Sequence, residues 1–367
     1  MRTKFQGCFI LLALFVGVHS ALAQVTNLGI AGAAGQSVLY WPTSATNYVV
    51  QGTTNLASPD WVTAADAVPV SAVTVSNTSP ARFFRLSAVP DGMALIPAGA
   101  FTMGDTLDFQ ANARPTNVYV SAFYMDVNLV SLSQWQSVYY WATNHGYSFE
   151  YEGSGKATNH PVQTVDWYNC VKWSNARSAQ AGLTPVYYTD TNLSQVYTNG
   201  VTDAVYVNWT GSGYRLPTEA EWEKAARGGL SGQRFPWGNL IGESQANYNS
   251  DTLAGSYDLG PDGYNAIGSI GGTSPATSPV GSFPPNGYGL YDMAGNVFEW
   301  CWDWYGTPYG QPTTNNPTGP PGPLGSHLWR GGGWTSIASL ARCASRVIAN
   351  PGDASNYNHG FRCVRRL

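Results

Sequence analysis

The chain of 367 residues is long enough for two domains, and its net charge of −4 at pH 7 excludes a broad electrostatic attraction to nucleic acid or to an anionic membrane. Only 11% of the residues are charged, whereas Gly (41), Pro (23), Trp (14) and Tyr (22) are unusually frequent. This composition is typical of a loop-rich fold that is held together by aromatic packing and has few regular helices.

The first 23 residues have the three parts of a secretory signal peptide. Arg2 and Lys4 give the positive start, Phe9–Val18 the apolar stretch, and Ala21–Ala23 an A-x-A cleavage site. The apolar stretch is too short to span a membrane comfortably, and no other run of about 18 apolar residues follows. The sequence therefore predicts a secreted or periplasmic protein with no membrane span after removal of the signal.

Residues 24–88 are predicted to form a separate small β module. Short β-branched or aromatic runs occur at Val38–Trp41, Tyr48–Gln51, Trp61–Ala64, Val70–Val75 and Ala81–Leu86. Ser87–Gly92 is typical of a linker because it contains Pro90 and ends in glycine. The segment carries no chemical motif, which favours a structural or adhesive spacer.

A second domain, residues 93–367, is predicted to mix strands and helices. Strands are expected over Met93–Ile96, Phe101–Gly104 and Val118–Met125. Apolar residues then recur with helical spacing, which predicts helices over Ser131–Ala142 and Asp166–Arg177. Leu183–Val207 is expected to be an insertion with a hairpin.

The most clearly delimited predicted helix begins after Thr218. Thr218 and Glu221 have the T-x-x-E spacing of a capping box, in which each side chain bonds the backbone N–H of the other residue. Glu219 and Lys224 place charges that suit the two ends of the helix dipole, and Gly228 can end the helix in a left-handed conformation.

Several motifs in one order resemble the formylglycine-generating enzyme, or sulfatase-modifying factor, family. They are Gly213–Gly229 (GYRLPTEAEWEKAARGG), Phe235–Asn239 (FPWGN), Ser278–Trp300 (SPVGSFPPNGYGLYDMAGNVFEW), Arg330–Trp334 (RGGGW) and Gly360–Arg362 (GFR). The resemblance covers Met93 to Leu367. It implies an α+β, loop-rich, C-type-lectin-like domain, and this fold carries more than one function.

The same resemblance implies structural calcium. Loops rich in Asn, carboxylates and backbone carbonyls suit this hard cation. By resemblance, the expected ligands are Asn247, the Tyr248 carbonyl, Asn296, the Val297 carbonyl and Glu299. The alternative is that Asn296 and Glu299 only satisfy backbone groups of a turn.

A formylglycine-generating enzyme oxidises a substrate cysteine with O₂ and copper(I), which it binds through paired cysteines. By resemblance, Cys343 stands at the second of these positions, with Arg342 and Arg346 expected to orient a substrate peptide. Ala338 stands five residues before Cys343, so the partner thiol is missing. Copper(I) requires soft thiolate ligands, and a single one is not a comparable site.

Without the signal segment, the cysteines that remain are Cys170, Cys301, Cys343 and Cys363. The resemblance implies a disulfide between Cys363 and the helix predicted at Asp166–Arg177. The usual partner position holds Ser174, but Cys170 lies one turn earlier and could replace it. Cys301 and Cys343 then stay open as a copper pair, a disulfide or two buried thiols.

The C-terminal stretch also resembles the variable proteins of diversity-generating retroelements, which use this fold as a ligand-binding scaffold. The motifs RGGGW, RCASR and GFR alternate with three loops, which are Trp334–Leu340, Val347–Asn350 and Asn356–His359. The loops hold residue types that an Asn codon can become when its adenines change. The expected ligand contacts are Trp300, Trp334, Thr335, Ser336, Ile337, Ser339, Asn350, Tyr357 and His359.

Three functions therefore remain for comparison. The missing cysteine favours an exported binding protein for a protein or peptide ligand. The second function is a copper- and O₂-dependent formylglycine-generating oxidase that acts on an exported sulfatase. The third is a purely structural paralogue.

Overall fold

The computed structural model describes residues 29–33, 36–40, 48–54, 62–63, 72–76, 83–269, 276–307, 309, 313–354 and 357–367. Contacts divide the chain into two compact units, one ending at Asp91, to which Leu367 is also assigned, and the other Gly92–Arg366. The predicted signal peptide lies outside the described residues. No helix among those described is long and apolar enough to cross a membrane.

The first unit is built from antiparallel strands. They are β1 (Gly29–Ala33), β2 (Gln36–Tyr40), β3 (Tyr48–Thr53), β4 (Val62–Thr63), β5 (Ala72–Ser76) and β6 (Phe83–Ala88). In the described part, they pair in the orders β1-β2-β5 and β4-β3-β6. The sequence does not predict β1, because its GIAGA segment has a single β-branched residue.

The second unit combines short strands with a few helices. Its elements are β7 (Met93–Ile96), β8 (Gly99–Met103), β9 (Thr116–Val120), β10 (Phe123–Asp126), α1 (Leu132–Thr143), α2 (Trp167–Gln180), β11 (Tyr187–Tyr188), β12 (Tyr206–Val207), β13 (Tyr214–Arg215), α3 (Glu219–Ala226), β14 (Asn249–Ser250), β15 (Gly263–Tyr264), β16 (Phe298–Trp304), β17 (His327–Arg330), β18 (Val347–Ala349), β19 (His359–Gly360) and β20 (Val364–Arg366). The predicted α+β, loop-rich class is confirmed.

Two four-stranded sheets organise this unit within the described residues. One has the order β13-β20-β10-β7 and is antiparallel, so the last strand of the chain pairs with strands from the start and the middle of the unit. The other has the order β18-β17-β16-β19, with β16 and β19 parallel. The C-terminal motifs therefore lie on or beside strands of this second sheet.

The helices form where their N-terminal caps predict them. Ser131 and Asp166 each accept a backbone N–H from the residue three positions later, at the starts of α1 and α2. Thr218 and Glu221 form the full capping box of α3. The single strand predicted over Val118–Met125 is wrong, because the chain turns after Val120 and its halves, β9 and β10, pair in different sheets.

Tryptophan packing forms much of the interior, as the composition predicts. Trp135 of α1 and Trp173 of α2 stack with ring centroids 5.7 Å apart and fix the two helices against each other. His327 lies between Trp167 and Trp304, 3.9 Å from each ring centroid. These large buried rings allow an extended loop region to hold a defined shape.

Candidate functional site

Buried ion pairs attach the C-terminal motifs to helix α3, and we call α3 and the sheets of the second unit the frame. Glu219 and Glu223 lie one turn apart on α3. Glu223 accepts from Arg330 at 2.5 Å and also from Arg227, while Glu219 accepts from Arg346 at 2.5 and 2.8 Å. Each arginine therefore holds one motif, RGGGW or RCASR, against the same helix.

Arg330 also organises the chain beyond its own motif. Its guanidinium donates to the carbonyls of Ser345 at 2.6 Å and of Cys343 at 2.8 Å. Farther along, Arg362 of the GFR motif makes a two-pronged pair with Glu299 at 2.7 and 2.9 Å. The motifs RGGGW, RCASR and GFR, which flank the predicted ligand loops, therefore have a structural role: they anchor the loops.

Arg342 and Arg346, which are predicted to orient a substrate peptide, are both paired with carboxylates of the protein. Arg342 donates to Asp108 at 2.5 Å, and Arg234 binds the same carboxylate. Hydrogen bonding from Arg234 lowers the pKa of Asp108 below its usual range, and Arg342 contributes in the same direction. Arg346 donates hydrogen bonds to the Glu219 carboxylate. Both side chains therefore already have protein partners.

Cys343 lies in the core rather than in an open site. It is fully buried in a cluster that includes Cys301, Trp222 and Leu328. Burial raises the pKa of the Cys343 thiol to about 12, and it also raises the pKa of Cys301. Copper(I) chemistry on a substrate requires paired thiols that the substrate can reach, and this closed core cluster does not offer them.

The predicted Cys170–Cys363 disulfide is absent, and this prediction needs correction. Cys170, Cys301, Cys343 and Cys363 are all free and buried. The Cys363 sulfur instead lies 3.5 Å from the hydroxyl of Ser174, one turn beyond Cys170 on α2. Burial raises the pKa of Cys363 to about 12, which is typical of an unreactive packed thiol.

The predicted calcium loops come together, but their side chains already have partners. The Asn296 N–H donates to the Asn247 carbonyl at 2.7 Å. The Asn296 amide bonds both backbone groups of Ser278, and both Glu299 oxygens accept from Arg362. These contacts match the alternative in which the side chains of Asn296 and Glu299 satisfy protein groups.

The two remaining predicted ligands do not change this conclusion. The Tyr248 carbonyl accepts the Asn265 N–H at 3.3 Å, and Val297 is buried next to Asn296. In the described part of the chain, no group of three or more His, Cys, Asp or Glu side chains is placed to hold a metal. Calcium stays a prediction, which metal analysis of the purified protein tests.

Two of the three predicted ligand loops meet at the surface. The indole N–H of Trp334 donates to the Tyr357 carbonyl at 3.1 Å, and the Asn358 amide donates to the Thr335 hydroxyl at 2.8 Å. The Tyr264 ring lies 5.8 Å from that of Trp334. We call Tyr264, Trp334, Thr335, Tyr357 and Asn358 the aromatic patch.

The patch is open to solvent and rests on a second loop. Tyr357 is 66% exposed and Tyr264 is 48% exposed. The Asn249 N–H donates to the Ser336 carbonyl, which ties the β14–β15 hairpin to the Trp334 loop. Tyr264 is not among the contacts predicted from the sequence, although an aromatic residue between Gly263 and Asn265 in a polar loop is an available signal.

Other predicted ligand contacts fall into two groups. Trp300, Ser336 and His359 are buried: the Trp300 indole donates to the Val165 carbonyl, and the Ser336 hydroxyl accepts the Gly333 N–H. The remaining ones reach the surface: Ile337 and Ser339 are half-buried and Asn350 is exposed. The buried three are therefore supports of the loops and not contact residues.

His359 follows the patch residue Asn358 and is fully buried in an unusual environment. Its ring is 4.2 Å from that of Trp329, and neither ring nitrogen has a hydrogen-bond partner among the described residues. Burial lowers the pKa of His359 to about 4, an effect that Asp353 partly opposes. The imidazole is therefore neutral at physiological pH.

The fold and this arrangement define a C-type-lectin-like domain of the sulfatase-modifying type. Residues 81–367 match the family described as "Sulfatase-modifying factor enzyme 1-like domain". The chain belongs to this family, and the resemblance stated from the motifs is confirmed.

Known proteins with similar sequences and structures include both kinds that the motifs indicate. The chain is 36% identical to the formylglycine-generating enzyme of Bos taurus over 299 residues, covering 75% of each chain. It is 33% identical to that of Thermomonospora curvata, covering 75% of this chain and 94% of the relative. The structure of Treponema denticola variable protein 1 matches with a TM-score of 0.58 and 26% identity, over 75% of this chain and 95% of that one.

Proposed function

We propose that this protein is an exported, ligand-binding member of the sulfatase-modifying factor family and that it does not generate formylglycine. The observation that carries the proposal is the aromatic patch, an exposed group of rings on loops that buried arginine–carboxylate pairs anchor. Exposed side chains on a rigid frame are what a binding surface requires.

The thiol chemistry supports the same proposal. Catalysis with copper(I) requires paired thiolates, whereas Ala338 stands where the resemblance requires a first cysteine and Cys343 is closed in the core. The partner is an exported protein or peptide, and a sulfatase is one candidate. Export itself rests on the signal-like residues 1–23, and residues 24–88 serve as a spacer in this proposal.

A selection from a random peptide display library tests the binding function. We expect peptides enriched on the wild-type protein to lose binding to Tyr357→Ala and Trp334→Ala, because both rings belong to the patch. Tyr140→Ala is the matched control, since Tyr140 is 52% exposed on α1. Peptides that depend equally on Tyr140, or on none of these rings, would contradict the proposal.

The alternative is an active formylglycine-generating enzyme, which the identity to the bovine enzyme favours. Incubation with copper(I), O₂ and a C-x-P-x-R peptide, followed by mass spectrometry, separates the two. We expect no aldehyde product from the wild-type protein or from Cys343→Ala. An aldehyde formed by the wild type and by Cys363→Ala, but not by Cys343→Ala, would establish the oxidase and overturn our proposal.

The nucleotide sequence tests whether the loops are diversified. A near-copy of the bases that encode Trp334 to His359, located downstream and differing only at adenines, is the expected finding for a retroelement variable protein. A gene without such a copy would leave the patch as a fixed binding site for one ligand.

A further inference from the structure

One ring of the aromatic patch, that of Tyr264, lies in a long part of the chain that has no basic residue. From Phe235 to Trp329 the sequence contains no Lys or Arg, but it contains seven acidic residues: Glu243, Asp251, Asp258, Asp262, Asp292, Glu299 and Asp303. Four of these, Asp258, Asp292, Glu299 and Asp303, are buried and accept hydrogen bonds from the protein. Glu243, Asp251 and Asp262 reach the surface.

The nearby arginines do not offset this negative surface. Arg330, Arg342, Arg346 and Arg362 are all buried, and each is paired with a carboxylate described above. Their positive charges are thus neutralised inside the frame. On the hairpin that contains Tyr264, the charged side chains that reach the surface are Asp251 and Asp262.

Two of the exposed acids lie on the same hairpin as one patch ring. Asp251 follows β14 directly, and Asp262 precedes β15, which contains Tyr264. Asp262 accepts from the Thr252 N–H at 2.9 Å and from its hydroxyl at 2.8 Å. These bonds, led by the one from the Thr252 N–H, lower the pKa of Asp262 and keep the carboxylate ionised.

A third acid precedes Tyr357 in the sequence. Asp353 lies four residues before Tyr357, and its charge acts on the ring of His359. Exposed aromatic rings bordered by carboxylates attract cations in two ways, through the ring faces and through ion pairing. An anionic partner would be repelled by the same surface.

We propose that the aromatic patch binds a cationic peptide segment of its partner, with arginine or lysine side chains over the rings of Tyr264, Trp334 and Tyr357 and paired with Asp251 and Asp262. This inference rests on the proposed binding function and names the chemistry of the ligand. Complementary charge also accelerates the encounter between the partners.

Fluorescence anisotropy with three labelled peptides of equal length tests the inference. One carries four arginines, the second has glutamine at those positions, and the third has glutamate. We expect binding of the arginine peptide alone, with an affinity that falls as salt is raised from about 50 mM to about 500 mM.

Substitutions locate the binding. Asp262→Asn should weaken the arginine peptide roughly threefold, as expected for one exposed ion pair, and Tyr357→Ala should weaken it roughly tenfold, as expected for an aromatic anchor. Glu152→Gln is the matched control, because it removes the same charge from an exposed residue elsewhere in the sequence. Melting curves confirm that each variant is folded.

Each outcome has one meaning. Equal binding of the glutamine peptide, or an equal loss in Asp262→Asn and Glu152→Gln, would overturn the cationic inference. If the arginine peptide fails while neutral peptides from a display library bind and depend on Tyr357, the inference is wrong and the proposed binding function stands. If no peptide depends on Tyr357, the proposed binding function is wrong as well.

Discussion

His359 is a buried histidine whose imidazole is neutral because of the residues packed around it. The sequence does not indicate this burial, since it predicts that His359, an isolated histidine between Asn358 and Gly360, is a ligand contact. Only the packing of Trp329 and Trp300 around its ring makes it a buried, neutral group.

We expect His359→Phe to reduce the loss of stability in acid. The folded-state pKa of about 4 lies below the unfolded value of about 6.5. The unfolded chain therefore takes up the proton first, and the stability contributed by the neutral ring is present above about pH 6.5 and lost as the pH falls toward 4. The difference in the free energy of unfolding is on the order of 3 kcal/mol.

Urea unfolding of both proteins at several pH values measures this effect. His145→Phe, at an exposed histidine, is the control for the substitution itself. An identical pH dependence for the wild type and His359→Phe would contradict the buried, neutral state. The variant removes no hydrogen bond made within the described residues, so we expect little change at neutral pH.

Among the elements, α3 is the one that the sequence specified most completely. Its capping box, the charges at its ends and the left-handed Gly228 all appear in the structure. These interactions join residues three or four positions apart, so they can be inferred without knowing the fold. The split of Val118–Met125 into two strands could not be inferred, because it depends on which distant strands are available for pairing.

Loss of the α3 cap should have a moderate, defined effect. Thr218→Ala removes the acceptor of the Glu221 N–H, and we expect the free energy of unfolding to fall by about 1 kcal/mol. Thr218→Ser keeps the hydroxyl and should retain most of the stability. Chemical denaturation at pH 7 measures both, and an equal loss in the two variants would mean that the methyl group matters rather than the cap.

At the scale of the whole molecule, a single helix connects the distant C-terminal motifs. Glu219 and Glu223 of α3 bind Arg346 and Arg330, which are more than one hundred residues away in sequence. The loops between these arginines can therefore vary while the frame stays constant. This separation is consistent with the structural match to a variable protein.

Breaking one of these connections should destabilise the whole second unit. Arg346→Ala leaves the buried Glu219 carboxylate without its two short hydrogen bonds, and we expect a loss of about 3–5 kcal/mol in the free energy of unfolding. Arg114→Ala, at an exposed arginine, should change it by less than about 0.5 kcal/mol. Similar values for the two variants, measured by urea denaturation, would show that the ion pair does not support the frame.

The sequence by itself determined the family, the α+β class and the helix starts, because these depend on ordered motifs and on contacts within a few residues. It also indicated two of the loops that meet in the aromatic patch, whereas the third, Val347–Asn350, is mostly strand β18. The tertiary structure alone decided that Cys343 is a closed core thiol, that Cys363 faces Ser174 and that Tyr264 joins Trp334. Those outcomes depend on burial and on pairs brought together across the chain, such as Arg330 with Glu223, and no local pattern in the sequence encodes them.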